Sequence, residues 1–265
     1  MIKLNNKKGL NIAQINKINL NSDSYKRVLE VIQARVKNGQ KTFVVTPNPE
    51  FIVFSQKNPW FAFILNQADI AIPDGIGLVW ASRILQTKPV IEQRISGTDL
   101  MDDLCRLAAK KGWRIFLLGG QPSGIAQKTL KSLSQRYPGL KGKTDPGPQS
   151  LNLESIKKGN LEMQKLVAKI NQNKTDLLFV AFSMGKQEKF IFENWPLLKV
   201  KVAIGIGGAF DYLSGEVKRP PKWVQNLGFE WFYRLFKQLW RFKRQINVFK
   251  FGFWVLKKRL LGQTK

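Results

Sequence analysis

The sequence contains no histidine, one cysteine, and only 18 acidic residues against 44 Lys and Arg. The absence of histidine excludes histidine general bases, histidine metal ligands and the Ser-His-Asp arrangement of many hydrolases. The single thiol, Cys105, has no partner for a disulfide within the chain, which favours a reducing cytoplasm. The first residues show no apolar signal region, and no apolar run reaches the roughly 18 residues that span a bilayer. We therefore expect a cytoplasmic protein whose contact with any membrane is peripheral.

The net charge of +26 indicates a polyanionic partner, for which nucleic acid, a phospholipid surface and phosphorylated substrates are all candidates. The charge is concentrated at the end of the chain, because residues 217–265 hold 13 Lys or Arg, 12 aromatic residues and a single acid, Glu230. On a helical wheel the cations and the apolar side chains of this tail segregate. The cations Arg234, Lys237, Arg241 and Arg244 share one arc, opposite Phe232, Leu235, Phe236, Leu239 and Ile246. The tail therefore predicts a helix that lies on an anionic, apolar surface.

Short apolar, β-branched runs alternate along the chain with longer segments of helical periodicity. The runs predict strands at residues 42–45, 70–72, 114–118, 176–182 and 200–204, and the longer segments predict helices at 51–66, 76–85, 100–111, 125–137, 161–171 and 187–195. This order predicts an α/β, Rossmann-like fold: a largely parallel sheet covered by helices, followed by the amphipathic helical appendage. Residues 137–160 predict an exposed connection, and Pro220-Pro221 predicts a boundary between a main domain, 1–221, and the tail, 222–265.

Polar residues follow the first two predicted strands of the sheet. Thr46 and Asn48 come directly after one strand, and Asp74 stands between Pro73 and Gly75 after the next. Because parallel strands present their carboxyl ends at one edge, we expect the two loops to lie side by side there. A carboxylate in this apolar setting suits proton transfer, with Thr46 and Asn48 as candidate sugar ligands. The alternative is that Asp74 caps the helix that begins at Gly75.

Two glycine-rich loops follow later strands, at Gly119-Gly120 and at Gly207-Gly208, and the second is followed by Asp211. Backbone N–H groups in such loops can hold phosphate, and Asp211 can accept hydrogen bonds from a base or ribose. Neither loop is a Walker loop, and neither has good dinucleotide spacing, which weakens the hypothesis of a nucleotide-sugar-modifying enzyme that uses NAD. A plain tight turn is the alternative for each loop, and pairing with a nearby Lys is the alternative for Asp211.

Two further loops open predicted helices. Gln187 offers both a donor and an acceptor to sugar hydroxyls, whereas its neighbours Lys186 and Glu188 are by default ordinary surface residues of a first helical turn. Arg94 provides a cation for an anionic substrate, although the Ser and Thr that follow it are typical helix caps. No Asp-x-Asp pair follows a strand, so we expect no divalent metal and no other cofactor. Arginines and backbone donors would neutralise leaving-group charge instead.

As an ordered set, six motifs over roughly residues 40 to 245 resemble the WecG/TagA/CpsF glycosyltransferases, glycosyltransferase family 26. They are Thr46-Pro-Asn-Pro-Glu50, Pro73-Asp-Gly-Ile-Gly77, Arg94-Ile-Ser-Gly-Thr-Asp99, Gly185-Lys-Gln-Glu188, Gly205-Ile-Gly-Gly-Ala-Phe-Asp211 and Gly228-Phe-Glu-Trp-Phe-Tyr-Arg-Leu235. The resemblance implies inverting, metal-independent transfer of a hexose or N-acetylhexosamine from a UDP-sugar to a polyprenyl-diphosphate-linked acceptor. It also implies that this reaction occurs at the cytoplasmic membrane face, in the synthesis of surface polysaccharide or wall polymer.

The same resemblance implies a role for individual residues. Asp74 is similar to the family's general base, Thr46, Asn48 and Gln187 to its sugar contacts, and Asp211 to its nucleotide contact. The tail resembles the family's appendage, which closes over the active site and supplies the arginines Arg234, Arg241 and Arg244. The sequence departs from the family pattern at Phe229, where Leu is usual, and at Gln238-Leu239, where Glu-Pro is usual. The missing proline predicts a longer, uninterrupted tail helix.

A different class of function, single-stranded nucleic-acid binding, is also compatible with a basic tail rich in Phe and Trp. Stacking platforms intermix aromatic and cationic side chains, however, whereas this tail places them on opposite faces of one helix. The separation favours a membrane surface over nucleic acid as the partner.

Overall fold

The computed structural model describes residues 9–226, 230, 232–233 and 242–262. In chain order the strands are β1 (Ile12–Ile15), β2 (Ile18–Asn21), β3 (Thr42–Val45), β4 (Ile70–Ala71), β5 (Arg114–Gly119), β6 (Lys141–Asp145), β7 (Leu177–Ala181) and β8 (Val202–Gly205). The described helices are α1 (Tyr25–Lys37), α2 (Pro49–Lys57), α3 (Pro59–Gln67), α4 (Ile76–Ile84), α5 (Gly97–Lys111), α6 (Ile125–Arg136), α7 (Leu161–Gln172), α8 (Lys186–Asn194), α9 (Ala209–Leu213), α10 (Lys222–Asn226) and α11 (Phe242–Leu260). The predicted α/β, Rossmann-like class is confirmed.

The chain divides into two compact units, and neither is continuous in sequence. The first contains the residues up to Leu29, then Thr46–Ser96, then the residues from Arg219 onward. The second contains Glu30–Val45 and Gly97–Lys218. The tail thus belongs to the same unit as Asp74. The proposed domain boundary between residues 221 and 222 stays a prediction.

The second unit, all of whose residues the structure describes, contains a parallel sheet in the order β3-β8-β7-β5-β6. Every residue of β7 is buried, as expected for a parallel strand that helices cover on both faces. Residues 137–160 are largely exposed, as predicted, but they are not a connection throughout, because strand β6 lies within them. This edge strand, Lys-Gly-Lys-Thr-Asp, is only partly buried and carries the polar residues of a loop, so composition alone does not identify it.

The first unit begins with a β-hairpin that the periodicity analysis did not predict. Strands β1 and β2 pair antiparallel, and Asn16 and Lys17 between them both have positive φ, as in the two-residue turns that match strand twist. The hairpin holds the following elements, since Asn21 Oδ1 accepts a hydrogen bond from Ala71 N at 2.6 Å. The single helix expected over residues 51–66 is two helices, α2 and α3, because Pro59 ends the first and begins the second.

The described tail consists of α10, isolated residues of the next segment, and α11. Helix α11 packs on α2 and α4 and buries Phe251 and Val255 on that side. The predicted start of a tail helix near Gly228, and its continuity past Gln238, lie outside the described residues. None of the described helices is both long enough and apolar enough to cross a membrane.

Candidate active site

The loops that carry Asn48 and Asp74 meet, as the strand pattern predicts. Asp74 N donates a hydrogen bond to Pro47 O at 2.7 Å. Gly75 has a φ of +139°, and a Cβ at this position would lie 3.1 Å from Pro49 Cδ. Glycine at position 75 therefore allows both the backbone conformation and the close contact of the two loops.

The half-buried Asp74 precedes α4 without occupying its N-cap position. The helix begins at Ile76, and its N-cap is Gly75, so the hypothesis that Asp74 is the cap residue does not hold. The other predicted ligands on these loops are Asn48 and Thr46. Asn48 caps α2 by accepting a hydrogen bond from Phe51 N at 3.1 Å, and Thr46 is buried. Asn48 is thus committed to a helix cap, whereas Asp74 is not.

Arg94 lies beside Asp74. Ile95 N donates to Pro73 O at 2.9 Å, which ties the loop of Arg94 to the loop of Asp74. Burial lowers the pKa of Arg94, but the carboxylates of Asp74 and Glu230 raise it by more, so the net shift of this pKa is upward. The side chain, 14% exposed, is therefore a firmly charged, preorganised cation close to the candidate base.

The tail contributes to the same cluster through residues that the sequence analysis did not assign to the site. Glu230 Oε2 lies 2.5 Å from Arg94 Nη2, and Glu230 Oε1 lies 3.9 Å from Arg219 Nε. Arg219 Nη2 also donates to Ser96 Oγ at 3.2 Å, and Arg94 Nη1 donates to Gln225 O at 3.3 Å. The sequence feature that could have pointed to this cluster is Glu230, the single acidic residue in a segment, 217–265, that contains 13 Lys or Arg.

A second cluster lies within the second unit, where Gln187 and Glu188 belong to the first turn of α8. Gln187 is 1% exposed, and its Oε1 accepts a hydrogen bond from Gly207 N at 3.0 Å. Its Nε2 donates to Glu188 Oε1 at 2.7 Å, and Glu188 Oε2 accepts from Gly185 N at 2.7 Å. Gln187 therefore connects the start of α8 to the glycine loop after β8.

Glu188 is fully buried, so its assignment as an ordinary surface residue was wrong. Burial raises the pKa of Glu188 to about 7, and the hydrogen bonds from Gln187, from Gly185 N and from its own backbone N–H only partly oppose this increase. A glutamate in the first turn of a helix normally faces solvent and complements the helix dipole. The local sequence gave no sign that this one is buried.

The two glycine loops of the second unit differ in the space around them. A Cβ at Gly119 would lie 2.7 Å from Phe182 Cδ1, and one at Gly120 would lie 2.2 Å from Ile125 Cγ2, so packing and positive φ both require glycine there. Gly120 N also donates to Ala181 O at 2.9 Å. A Cβ at Gly207, in contrast, would meet no atom of the described residues within 4 Å. The loop after β8 is therefore the more open candidate for a nucleotide.

The remaining predicted residues lie at the start of α9 and in the tail. Gly208 is the N-cap of α9, and Asp211 lies half-buried in the first turn of that helix. Arg234 and Arg241 lie outside the described residues, and Arg244 belongs to α11 without a described side chain. Among the described residues, no three acidic or cysteine side chains cluster as a metal ion would require. Metal independence stays a prediction.

Comparison with known proteins identifies the family. A model of the glycosyl transferase WecG/TagA/CpsF family matches residues 13–265. The chain belongs to this family. It is a glycosyltransferase, and the resemblance inferred from its six motifs is confirmed.

Similar members of the WecG/TagA/CpsF family share one enzyme name, N-acetylglucosaminyldiphosphoundecaprenol N-acetyl-beta-D-mannosaminyltransferase. The relative from Bacillus subtilis (strain 168) is 34% identical over 96% of this chain and 93% of its own length. That from Bacillus spizizenii is 35% identical over 81% of this chain and 79% of its own length, and that from Staphylococcus aureus (strain MRSA252) is 30% identical over 82% of each.

Proposed function

We propose that this glycosyltransferase moves N-acetylmannosamine from a UDP-sugar to N-acetylglucosamine linked to a polyprenyl diphosphate. The names of the similar enzymes support the acceptor and the transferred sugar. The reaction proceeds with inversion, without a metal or other cofactor, at the cytoplasmic face of the membrane. Its product is an intermediate of cell-wall polymer or surface polysaccharide synthesis.

The juxtaposition of Asp74 and Arg94 carries this proposal. Asp74 accepts the proton of the acceptor hydroxyl as that oxygen attacks the anomeric carbon of the donor. The bond from the anomeric carbon to the diphosphate oxygen breaks, and UDP leaves with the bonding electrons. A single displacement inverts the configuration. Arg94, held charged by its carboxylate neighbours, favours the ionised form of the base and presents a cation to the anionic substrates.

The other predicted residues bind the substrates in this scheme. Thr46 and Asn48 contact sugar, and Gly119, Gly120, Gly207, Gly208 and Asp211 contact the nucleotide. Arg234, Arg241 and Arg244 from the tail neutralise the diphosphate charge that grows in the transition state. A well-placed donor of this kind contributes on the order of 3 kcal/mol.

Helix α11 supports peripheral membrane binding. Its exposed face carries an apolar stripe, spaced three and four residues apart, that consists of Ile246, Phe249, Phe253, Leu256 and Leu260. Exposed Lys250, Lys257 and Arg259 lie on either side of this stripe. Each cation near an anionic lipid surface contributes about 1 kcal/mol, and apolar side chains add to this by insertion into the interface. This arrangement suits a helix that lies in the surface of a bilayer.

A UDP-release assay tests the proposed reaction. The substrates are a panel of UDP-hexoses that includes UDP-N-acetylmannosamine, together with polyprenyl-diphosphate-linked N-acetylglucosamine. We expect EDTA-insensitive turnover with UDP-N-acetylmannosamine that falls at least about 100-fold in Asp74→Asn. The matched control is Asp103→Asn, which alters an aspartate paired with Arg106 on the surface of α5 and should keep full activity. Undiminished turnover in Asp74→Asn would remove this residue from the role of base.

A further inference from the structure

The hydrogen bonds of Gln187 and Glu188 form a chain with a fixed direction. Glu188 receives N–H groups on both oxygens, from Gly185 at one and from Gln187 at the other. A carboxylate can only accept, so the amide of Gln187 must turn its nitrogen toward Glu188 and its oxygen toward Gly207 N. The orientation of this amide is thus fixed at both ends, by Glu188 at its nitrogen and by Gly207 N at its oxygen.

The glycine loop after β8 rests directly on this pair. A Cβ at Gly205 would lie 2.9 Å from both Gln187 Nε2 and Glu188 Oε1, so only glycine permits the contact. Gly207, whose N–H donates to Gln187, has a φ of +51°, and a Cβ there would lie within 4 Å of none of the described residues. The loop is therefore anchored on one side and accessible at Gly207.

We infer that Glu188 is a positioning residue for the nucleotide site: it fixes the amide of Gln187, and Gln187 holds the loop Gly205–Gly208. This inference rests on the proposed function, in which that loop contacts the nucleotide. It also gives Gln187 a different role from the direct sugar contact predicted from the sequence. Both ends of its buried amide already bind within the protein.

The surroundings of Glu188 support a role that depends on its being an acceptor of hydrogen bonds at both oxygens. Among the described residues, those that shift its pKa are Gly185, Gln187 and its own backbone N–H, besides the effect of burial itself. Backbone and amide dipoles stabilise the carboxylate, although burial opposes them and raises its pKa. Replacing it by an amide of the same shape places a donor against one of two existing donors, either at Gly185 N or at Gln187 Nε2. If Gln187 flips to avoid this contact, the conflict moves to Gly207 N.

An exchange of the two side chains tests the inference. In the double variant Gln187→Glu, Glu188→Gln, the carboxylate at position 187 accepts from Gly207 N and from the amide at position 188. The oxygen of that amide accepts from Gly185 N. Every donor in the chain again has an acceptor, and both total charge and size are unchanged. The single variant Glu188→Gln lacks this complementarity, and Glu162→Gln, at an exposed first-turn glutamate of α7, is the control.

We expect Glu188→Gln to weaken UDP binding, measured by calorimetry, about tenfold and to raise the KM for the donor more than it lowers kcat. The double variant should regain binding to within about threefold of wild type, because one unsatisfied buried donor is removed. Amide hydrogen exchange at Gly207 should be fast in the single variant and slow in the wild type and the double variant. This last readout requires no enzymatic activity.

Three results would overturn the inference. The first is a double variant that binds UDP no better than Glu188→Gln, the second is wild-type UDP affinity in Glu188→Gln, and the third is unchanged exchange at Gly207. If the single variant does not fold, a folded double variant that binds UDP supports the inference, and an unfolded one contradicts it. A wild-type protein that releases no UDP with any donor would refute the proposed function instead, while the exchange comparison would still test the chain of hydrogen bonds.

Discussion

Glu230 and Glu188 are both largely removed from solvent, but their partners are of different kinds. In the first unit Glu230 lies between the guanidinium groups of Arg94 and Arg219. In the second unit Glu188 is held by a backbone N–H and an amide N–H, and its pKa is raised to about 7. The first carboxylate belongs to a network of charges, and the second belongs to a network of dipoles.

This difference corresponds to two tasks in a transferase. A cluster of arginines and carboxylates can exchange an internal carboxylate for an anionic ligand. A chain of hydrogen bonds with fixed direction holds a loop in one geometry but provides little attraction for a distant anion. The two clusters should therefore respond differently to substitution and to pH.

Removing the central cation of the first unit should have the largest effect. Arg94→Gln leaves Asp74 and Glu230 without their shared partner, and breaking a largely buried ion pair costs about 3–5 kcal/mol. We expect kcat/KM in the UDP-release assay to fall at least about 100-fold. Arg106→Gln, which breaks a more exposed pair on α5, should change it less than about twofold. Comparable losses in the two variants would show that the Arg94 cluster has no special role.

Glu188, the buried carboxylate of the second unit, should make the free energy of unfolding depend on pH. The pKa of Glu188 is about 7 in the folded protein against an ordinary value of 4.5, so the folded state binds more protons than the unfolded state between these values. Stability should therefore fall as pH rises from 4.5 to 7, by on the order of 3 kcal/mol from this group. Urea unfolding across this range should show the fall in wild type but not in Glu188→Gln. Parallel pH profiles for the two proteins would contradict the assignment.

The loss of Glu230 should lower the free energy of unfolding by less than the change that the titration of Glu188 produces between pH 4.5 and 7. Glu230→Gln keeps the shape but weakens the contact to Arg94, and we expect the free energy of unfolding at pH 7 to fall by about 1–3 kcal/mol. Glu216→Gln removes the exposed partner of Lys128 and should have an effect below about 1 kcal/mol. Chemical denaturation of both variants checks this difference, which equal effects would rule out.

The smallest effect concerns the apolar stripe of α11. Phe253 is 72% exposed, and Phe253→Ala should weaken sedimentation with anionic phospholipid vesicles about fivefold, because a phenyl ring no longer inserts into the interface. Leu161→Ala, at a 64% exposed residue of α7 in the second unit, should leave binding unchanged. Binding of wild type to single-stranded oligonucleotides but not to vesicles would favour the nucleic-acid hypothesis and remove the membrane from the proposal.

The sequence predicts those strands of the fold that are buried on both faces. Strand β7 is apolar throughout because both of its faces are covered, so its composition identifies it. Edge strand β6 has polar, partly exposed residues, and its pairing with β5 depends on a neighbour that is distant in sequence. The break between α2 and α3 was readable from Pro59, although apolar periodicity continues through it.

In the candidate site, too, strand order predicts some features and tertiary packing determines the others. The contact between the Asp74 and Asn48 loops follows from strand order, since parallel strands end at a common edge. The burial of Glu188 and the pairing of Glu230 with Arg94 depend on tertiary packing, and no spacing along the chain encodes them. Glu230 was nevertheless conspicuous as an isolated acid in a basic segment. Such a residue can be recognised as the internal partner of an arginine before a structure is available.

Cys105 lies fully buried in α5, and burial raises the pKa of its thiol, so it should react slowly with maleimides. A reporter dye can therefore be attached at one chosen surface position without first removing the native thiol. Phe249→Cys on α11 and Leu161→Cys on α7 would place such a dye on the first or on the second unit of an otherwise unlabelled chain. Fluorescence from the first position alone would then follow insertion into lipid during turnover.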